Sequence, residues 1–305
     1  MSKFPSILTQ FRSFYWQNKP DNIEEAIEYF SVFGGMGWTV NMTQELDEII
    51  EQKVLNNYRY IHGDITKITQ SNKLHHALLS AIATGDRREH SAFKKAMVGR
   101  PDGEASIDFL VDNNLLDRDK SQAKPLDAKE EVSEKLHFTL PFMRFWFSAV
   151  SPYYKGIKEG DFTEFKKAWD NAKPEFSHGI YERLVMELIK HNFQKSDPLQ
   201  KIGSYWDSDN NLDILAKTKS GKIIAGTWKF SKAKAKKSEL TKLKEICEKI
   251  DLPADIFIIF SKNGFSNELK NEKGESVKLY ALKNLNTLIQ DLKPSDLIEN
   301  TNKMY

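Results

Sequence analysis

Residues 203–230, GSYWDSDNNLDILAKTKSGKIIAGTWKF, decide the fold. Apolar residues recur in three short runs, 204–207, 212–217 and 222–230, separated by an Asp-Ser-Asp-Asn cluster and by Ser220-Gly221, which is the pattern of strands joined by turns. Alternate side chains of a strand share a face, so Thr227 and Lys229 point together and Trp228 points away. Asp213 falls on the neighbouring strand across the Ser220-Gly221 turn. Such a hairpin brings an aspartate, residue 227 and a lysine to one end of a sheet, a geometry able to hold a divalent cation beside a phosphate and steady an attacking water. Further strands are expected at 256–261 and 277–281, a helix at 238–250 between the third and fourth strands, and a helix at 180–193 ahead of the first. A helix, a meander of three strands, a crossover helix and a returning strand make an α/β layer structure.

Ahead of this module the periodicity is helical. In residues 22–33, Ile23, Ala26, Ile27, Phe30 and Phe33 recur three and four apart, and Gly34-Gly35 should stop the helix. Amphipathic helices follow at 45–55 and 72–83, then a short helix at 91–98, a Gly99-Arg100-Pro101-Asp102-Gly103 turn and a helix at 104–116. With a charged, Pro125-containing excursion at 117–134 and a strand-like 136–140, this reads as a winged helix-turn-helix whose wing is a mobile loop. The aromatic run 142–154, FMRFWFSAVSPYY, and a helix at 162–172 carrying Phe165 and Trp169 read as a buried connector, with a boundary near residue 174. The expectation is an α+β protein: a helical segment over 1–60, a winged helix over 61–140, the connector over 141–174 and the α/β module over 175–305.

The 305 residues carry 45 basic and 43 acidic side chains, so neither electrostatic extreme constrains the partner. The apolar runs, such as 142–150 and 255–260, are far shorter than a bilayer span, and the N-terminal stretch MSKFPSILTQFRSFYWQNKP lacks the apolar core of a secretory signal. A cytoplasmic protein without a membrane partner is expected. Cys247, the single cysteine, reads as a core thiol, and the seven histidines show no ligand spacing.

The hairpin resembles the PD-(D/E)XK nuclease superfamily, which has the restriction-endonuclease-like fold, an aspartate on one strand and Glu-X-Lys on the next, with a helical glutamate ahead. Asp213 matches the aspartate, Lys229 the lysine, and Glu182 in Tyr181-Glu182-Arg183-Leu184-Val185 the helical glutamate; Thr227 stands where the Glu of Glu-X-Lys belongs. A closer resemblance is to the C-terminal region of the archaeal-type ATPases. Residues 142–150, similar to that family's Phe-Leu-Arg-Phe-Trp-Phe element, carry it, together with Tyr205-Trp206-Asp207, Leu212-Asp213-Ile214 and Gly226-Thr227-Trp228-Lys229. Residues 28–35, ending Phe33-Gly34-Gly35, resemble the lid that follows the ATPase core, which makes 1–60 lid-like. The core itself is missing: Gly221-Lys222 has Ala216 where a phosphate-binding loop has its first glycine, so no ATP hydrolysis is expected.

The resemblance implies a restriction-endonuclease-like fold with Asp213, Lys229 and Glu182 as catalytic residues and Asp213 and Glu182 as Mg²⁺ ligands. Thr227 removes a charged oxygen from that set, and Glu182, or an acid of the next helix such as Glu239, would have to supply a second ligand. Each residue also has a plainer reading: Asp213 as an edge-strand aspartate facing water, Lys229 as a surface lysine, Glu182 as a helix-surface acid. The run from residue 229 to 244 holds Lys229, Lys232, Lys234, Lys236, Lys237, Lys242 and Lys244 against Glu239 alone, either a footprint for a phosphate backbone or a solvated face. By contrast the recognition helix of the winged fold bears Asp102, Glu104, Asp108 and Asp112, which would repel DNA. The leading expectation is a nuclease-like, DNA-binding protein with a degenerate metal site, little or no cleavage, and nucleic-acid contacts through Lys232, Lys234, Lys236 and Lys237. The alternatives are an active Mg²⁺-dependent endonuclease and an adaptor binding a protein partner through the winged helix.

Overall fold

A computed structural model describes residues 4–122 and 134–298. The chain forms two compact units: Met1–Arg118 with Glu134–Ile180 and Leu292–Tyr305, and Asp119–Ser133 with Tyr181–Asp291.

The first unit opens with a helix not assigned from sequence, α1 (Ile7–Asn18), capped by Ser6, whose hydroxyl accepts from the Thr9 amide. Next comes α2 (Ile23–Phe33), where Asn22 caps the Glu25 amide and the expected apolar side is buried. The expected helix at 45–55 is α3 (Leu46–Ile50) continued by a wider π turn, Glu51–Leu55, and α4 (Tyr58–Ile68) follows unforeseen. The region expected to be a winged helix comprises α5 (Lys73–Ala83), α6 (Glu89–Ala96), α7 (Arg100–Asp112) and the paired strands β1 (Leu116–Asp119) and β2 (Lys135–Phe138).

Three details correct the sequence reading. The expected Gly-Arg-Pro-Asp-Gly turn is the first turn of α7, where Pro101 costs no hydrogen bond because its position has none to make. Gly103 is needed inside that helix because a Cβ there would stand 2.6 Å from the Phe93 ring. The helix ends at Asp112, and Leu116 starts a strand. Finally, the start of the stretch that read as a mobile wing is held within the second unit, at Ser121 and Gln122. Gln122 N donates to Ser204 O at 2.9 Å, and the Ser121 hydroxyl both donates to Trp206 O and accepts from Trp206 N at 2.8 Å. The remainder of the excursion, 123–133, lies outside the described residues.

The aromatic run is helical and buried: α8 (Pro141–Phe145), a π turn Trp146–Val150, a 3₁₀ turn Ser151–Tyr153 and α9 (Tyr154–Glu159). Phe142, Phe145, Trp146 and Phe147 are at most 1% exposed, so the stretch is core rather than a platform for bases. In α10 (Thr163–Phe176) Phe165 and Trp169 face inward, and the expected break near 174 falls inside this helix. The chain passes to the second unit within α11 (His178–Phe193), between Ile180 and Tyr181. Leu292–Tyr305 belongs to the first unit, where Arg12 grips Asp296 through two bonds of 2.9 and 3.0 Å.

The second unit has the element order expected from sequence, with one short helix, Asn267–Asn271, that was not foreseen. After α11, which buries Tyr181, Leu184, Val185, Leu188 and Ile189, come β3 (Leu199–Trp206), β4 (Asn211–Thr218), β5 (Ile223–Lys229), α12 (Lys237–Lys249), β6 (Ile256–Ser261), α13 (Asn267–Asn271) and β7 (Val277–Ala281). The sheet runs β3-β4-β5-β6-β7, with the pairs β3–β4 and β4–β5 antiparallel and the pairs β5–β6 and β6–β7 parallel. Leu243 and Cys247 of α12, with Ile250 just after it, pack with Leu215, Ile223 and Ala225 on one face. Burial pushes the Cys247 thiol up to about 11, as befits a core thiol. Among the described residues, no helix is long and apolar enough to cross a membrane.

Candidate nucleic-acid interface

In the antiparallel ladder of β4 and β5, Leu215 pairs with Ala225. Two residues further along each strand, the same face carries Asp213 and Thr227. The Thr227 hydroxyl donates to Asp213 Oδ2 at 2.7 Å, the Trp228 amide donates to the same oxygen at 3.3 Å, and the Asn211 amide donates to Oδ1 at 3.1 Å. Burial pushes the Asp213 carboxyl above its ordinary value, and the charge of Glu182 adds in the same direction. The bonds from Thr227, Trp228 and Asn211 offset only part of the rise. The structure therefore brings Asp213 under the electrostatic influence of Glu182, but its nearest partner is a hydroxyl.

Lys229 points to the same side of β5 as Thr227, and its ammonium is taken by Glu239 of α12 at 2.7 Å, both side chains about a quarter exposed. The acid expected as a substitute metal ligand thus holds the lysine instead. Asp207, part of the Tyr205-Trp206-Asp207 resemblance, shapes the β3–β4 turn. Burial alone would raise its carboxyl, yet bonds from the Tyr205 hydroxyl, the Asp209 and Asn210 amides and the Asn210 side chain hold it at about 2. Asn211 was not singled out from sequence, although the period of two that places it beside Asp213 was available there.

Does this donor set fit Mg²⁺? A magnesium ion takes charged oxygens in near-octahedral geometry. Here both Asp213 oxygens already accept from protein donors and the carboxyl holds its proton more tightly than usual. Among the described residues no group of three or more His, Cys, Asp or Glu side chains could hold a metal ion. The side chains do not fit a resident divalent ion.

The lysine run is organised differently from a helix face. Ala235 is fully buried, its amide donates to Gly264 O and its carbonyl accepts from the Ser266 amide, both at 2.9 Å, in a parallel bridge to Phe265. With Ala235 turned inward, Lys234 and Lys236 on either side of it turn outward, and both are exposed, as is Lys232. Lys237 is engaged differently. Its ammonium meets Glu272 at 2.6 Å, and that bond and charge raise its proton affinity. On α7 two of the four acids are compensated from within the unit, Glu104 by Arg100 at 2.7 Å and Asp108 by Arg118 at 2.6 Å.

Fold and site together describe an α+β protein whose second unit is a five-stranded mixed sheet with an aspartate, a threonine and an ion-paired lysine on its central strands. The family model DUF234, described as archaeal and bacterial proteins of unknown function, matches residues 146–242, about a third of the chain. That span includes Asp213, Thr227, Lys229 and the exposed lysines. No curated protein and no solved structure matches.

Proposed function

We propose that the second unit is a nuclease-like module that binds nucleic acid through its phosphate backbone and does not cleave it. The observation that carries this reading is the Ala235 anchor, which fixes the exposed Lys234 and Lys236 on one outward side. Two residues of extended chain span about 6.6 Å, close to two rises of about 3.4 Å along one nucleic-acid strand. Fixed spacing lets ammonium groups meet phosphates without first losing the freedom of a mobile loop. The resemblance to the C-terminal region of archaeal-type ATPases supports the reading, because the family match spans 205–207, 212–214 and 226–229, part of the stretches that carry it. Support for the lack of cleavage comes from the Thr227 hydroxyl on Asp213, from the Lys229–Glu239 pair that engages the lysine of the site, and from there being no cation-binding group of three or more His, Cys, Asp or Glu among the described residues.

The test is the salt dependence of DNA binding by the full chain. Each neutralised phosphate contributes about 0.9 to the slope of log affinity against log salt on duplex DNA. Replacing Lys232, Lys234 and Lys236 together by alanine should flatten that slope by about 2.7, three times 0.9. An unchanged slope, or no DNA binding by the unaltered protein, refutes the proposal. Plasmid incubated with Mg²⁺ or Mn²⁺ should stay intact, and cleavage that vanishes in Asp213→Ala would establish an active nuclease instead.

A further inference from the structure

The corner between α4 and α5, residues 69–72, holds two consecutive side-chain-bearing residues at positive φ, Gln70 at +55° and Ser71 at +56°. Left-handed backbone is disfavoured once a Cβ is present, so two such residues in a row persist only with support from their surroundings. We propose that this corner is an acid-released latch, closed while the ring of His76 is uncharged and opened when that ring takes up a proton. The support comes from the first turn of α5. Thr69, which is fully buried, donates its hydroxyl to Ile65 O at 2.8 Å in the last turn of α4. Its oxygen therefore accepts from His76 Nε2 at 2.6 Å, which assigns the single ring proton to that nitrogen. The Thr69 carbonyl accepts from His75 Nδ1 at 3.1 Å. His75 Nε2 in turn accepts from the Asn72 amide nitrogen at 3.3 Å, and that amide cannot flip because its oxygen caps the Leu74 amide at 2.9 Å. Both rings are wedged in place, His75 stacked on Phe109 at 4.5 Å and His76 edge-on to Phe147 at 5.6 Å.

A charge on His76 is opposed from several sides. Burial pushes its proton affinity below the ordinary value of 6.5, and the charges of His62 on α4 and of His75 push it the same way. The carboxylates of the neighbouring elements are engaged elsewhere: Asp64 of α4 with Lys67 at 3.4 Å, Glu89 of α6 and Asp108 of α7 with Arg118 at 3.4 and 2.6 Å, and Glu104 of α7 with Arg100 at 2.7 Å. Asp112 is exposed at the end of α7, Arg144 of α8 donates to Phe176 O, and His137 of β2 meets Arg87. Because the folded value lies below the unfolded one, the latch is fully effective above 6.5 and is lost as pH falls through the folded value. Between the two values opening takes up one proton, so the open fraction rises about tenfold per pH unit. Opening unties the last turn of α4, which Thr69 holds through Ile65 O.

The amides of Gln70, Ser71 and Asn72 report the state of the corner, since they donate to Lys67 O, Thr66 O and Thr69 O while it is closed. The test follows the unaltered full chain by NMR from about pH 8 to about pH 4.5. The ring signals of His76 should titrate below 6.5, and over the same step the three amides should lose exchange protection about tenfold per pH unit, while those of Leu78 and Leu79 in α5 keep theirs. In His76→Gln, which keeps a side-chain N–H for Thr69 Oγ but takes no charge, the step should vanish. Titration of His76 at or above 6.5, protection at the corner that is unchanged through the step, or a loss shared equally by Leu78 and Leu79 overturns the proposal. A step that persists in His76→Gln does the same. Should that variant fail to fold, titration and exchange in the unaltered chain still decide the matter.

Discussion

Replacing Thr227 by glutamate supplies the acidic residue that the PD-(D/E)XK pattern has two residues before its lysine, and its energetic consequences can be worked from the geometry. The wild-type hydroxyl gives Asp213 a 2.7 Å hydrogen bond, and a bond to a carboxylate contributes about 1.5–3 kcal/mol. Glutamate removes that donor and sets a second carboxylate beside one already strained toward protonation by burial and by Glu182. Without metal the variant should lose about 2 kcal/mol or more at neutral pH, which lowers the melting temperature by about 8 °C for a domain of about 100 residues. With Mn²⁺ at about 100 times its dissociation constant, three carboxylates that now converge should regain about 2.7 kcal/mol. The wild type should show neither effect. Thermal melts followed by tryptophan fluorescence, with EDTA and with Mn²⁺, read both terms. If Mn²⁺ stabilises the wild type as much as the variant, Thr227 does not disable the site. If the variant melts like the wild type and ignores Mn²⁺, Asp213, Glu182 and residue 227 do not converge.

Two further outcomes follow from the sheet. Because the folded Asp213 carboxyl holds its proton above the ordinary value of 3.8, the native state binds more protons than the unfolded one in the window just above that value. Stability is therefore lost as pH rises through the window, and the loss is complete above the folded value. Asp213→Asn, which retains an acceptor for Thr227, should gain on the wild type across that window and hold the gain at neutral pH; urea midpoints between pH 3 and 8 that show the variant falling behind contradict this. Gly226→Ala places a Cβ 2.9 Å from Ile258 O and 3.0 Å from Ile214 Cδ1, so it should cost about 1–3 kcal/mol, and an unchanged urea midpoint would show that β4, β5 and β6 are packed less closely than the structure has them.

The five strands of the second unit were readable because their signal is local. Residues such as Leu212, Ile214, Ile223 and Ile258 are buried in short runs bounded by turn residues, and the observed bounds of β6 and β7 agree with those expected. Local signals also misled. Gly-Arg-Pro-Asp-Gly has turn composition, yet packing against Phe93 draws it into α7. Helices α1 and α4 were passed over in the sequence, although α1 begins with an ordinary serine cap.

At the site the division is similar. The order of residues alone placed Asp213 on the strand next to Thr227 and put Thr227 and Lys229 on one side of their strand, since alternation along a strand is a property of consecutive residues, whereas the register that sets Asp213 against the Thr227 hydroxyl came with the fold. It also announced the lysine run. Only the folded chain decided that Lys229 is neutralised by Glu239, that Lys237 is taken by Glu272, and that Lys234 and Lys236 stand outward on a segment tied down by Ala235. Charge pairs of this kind depend on where α12 and the segment around Phe265 come to rest against the sheet, and that position is set by the summed burial of residues such as Leu240, Leu243 and Phe265, which no short stretch of sequence contains.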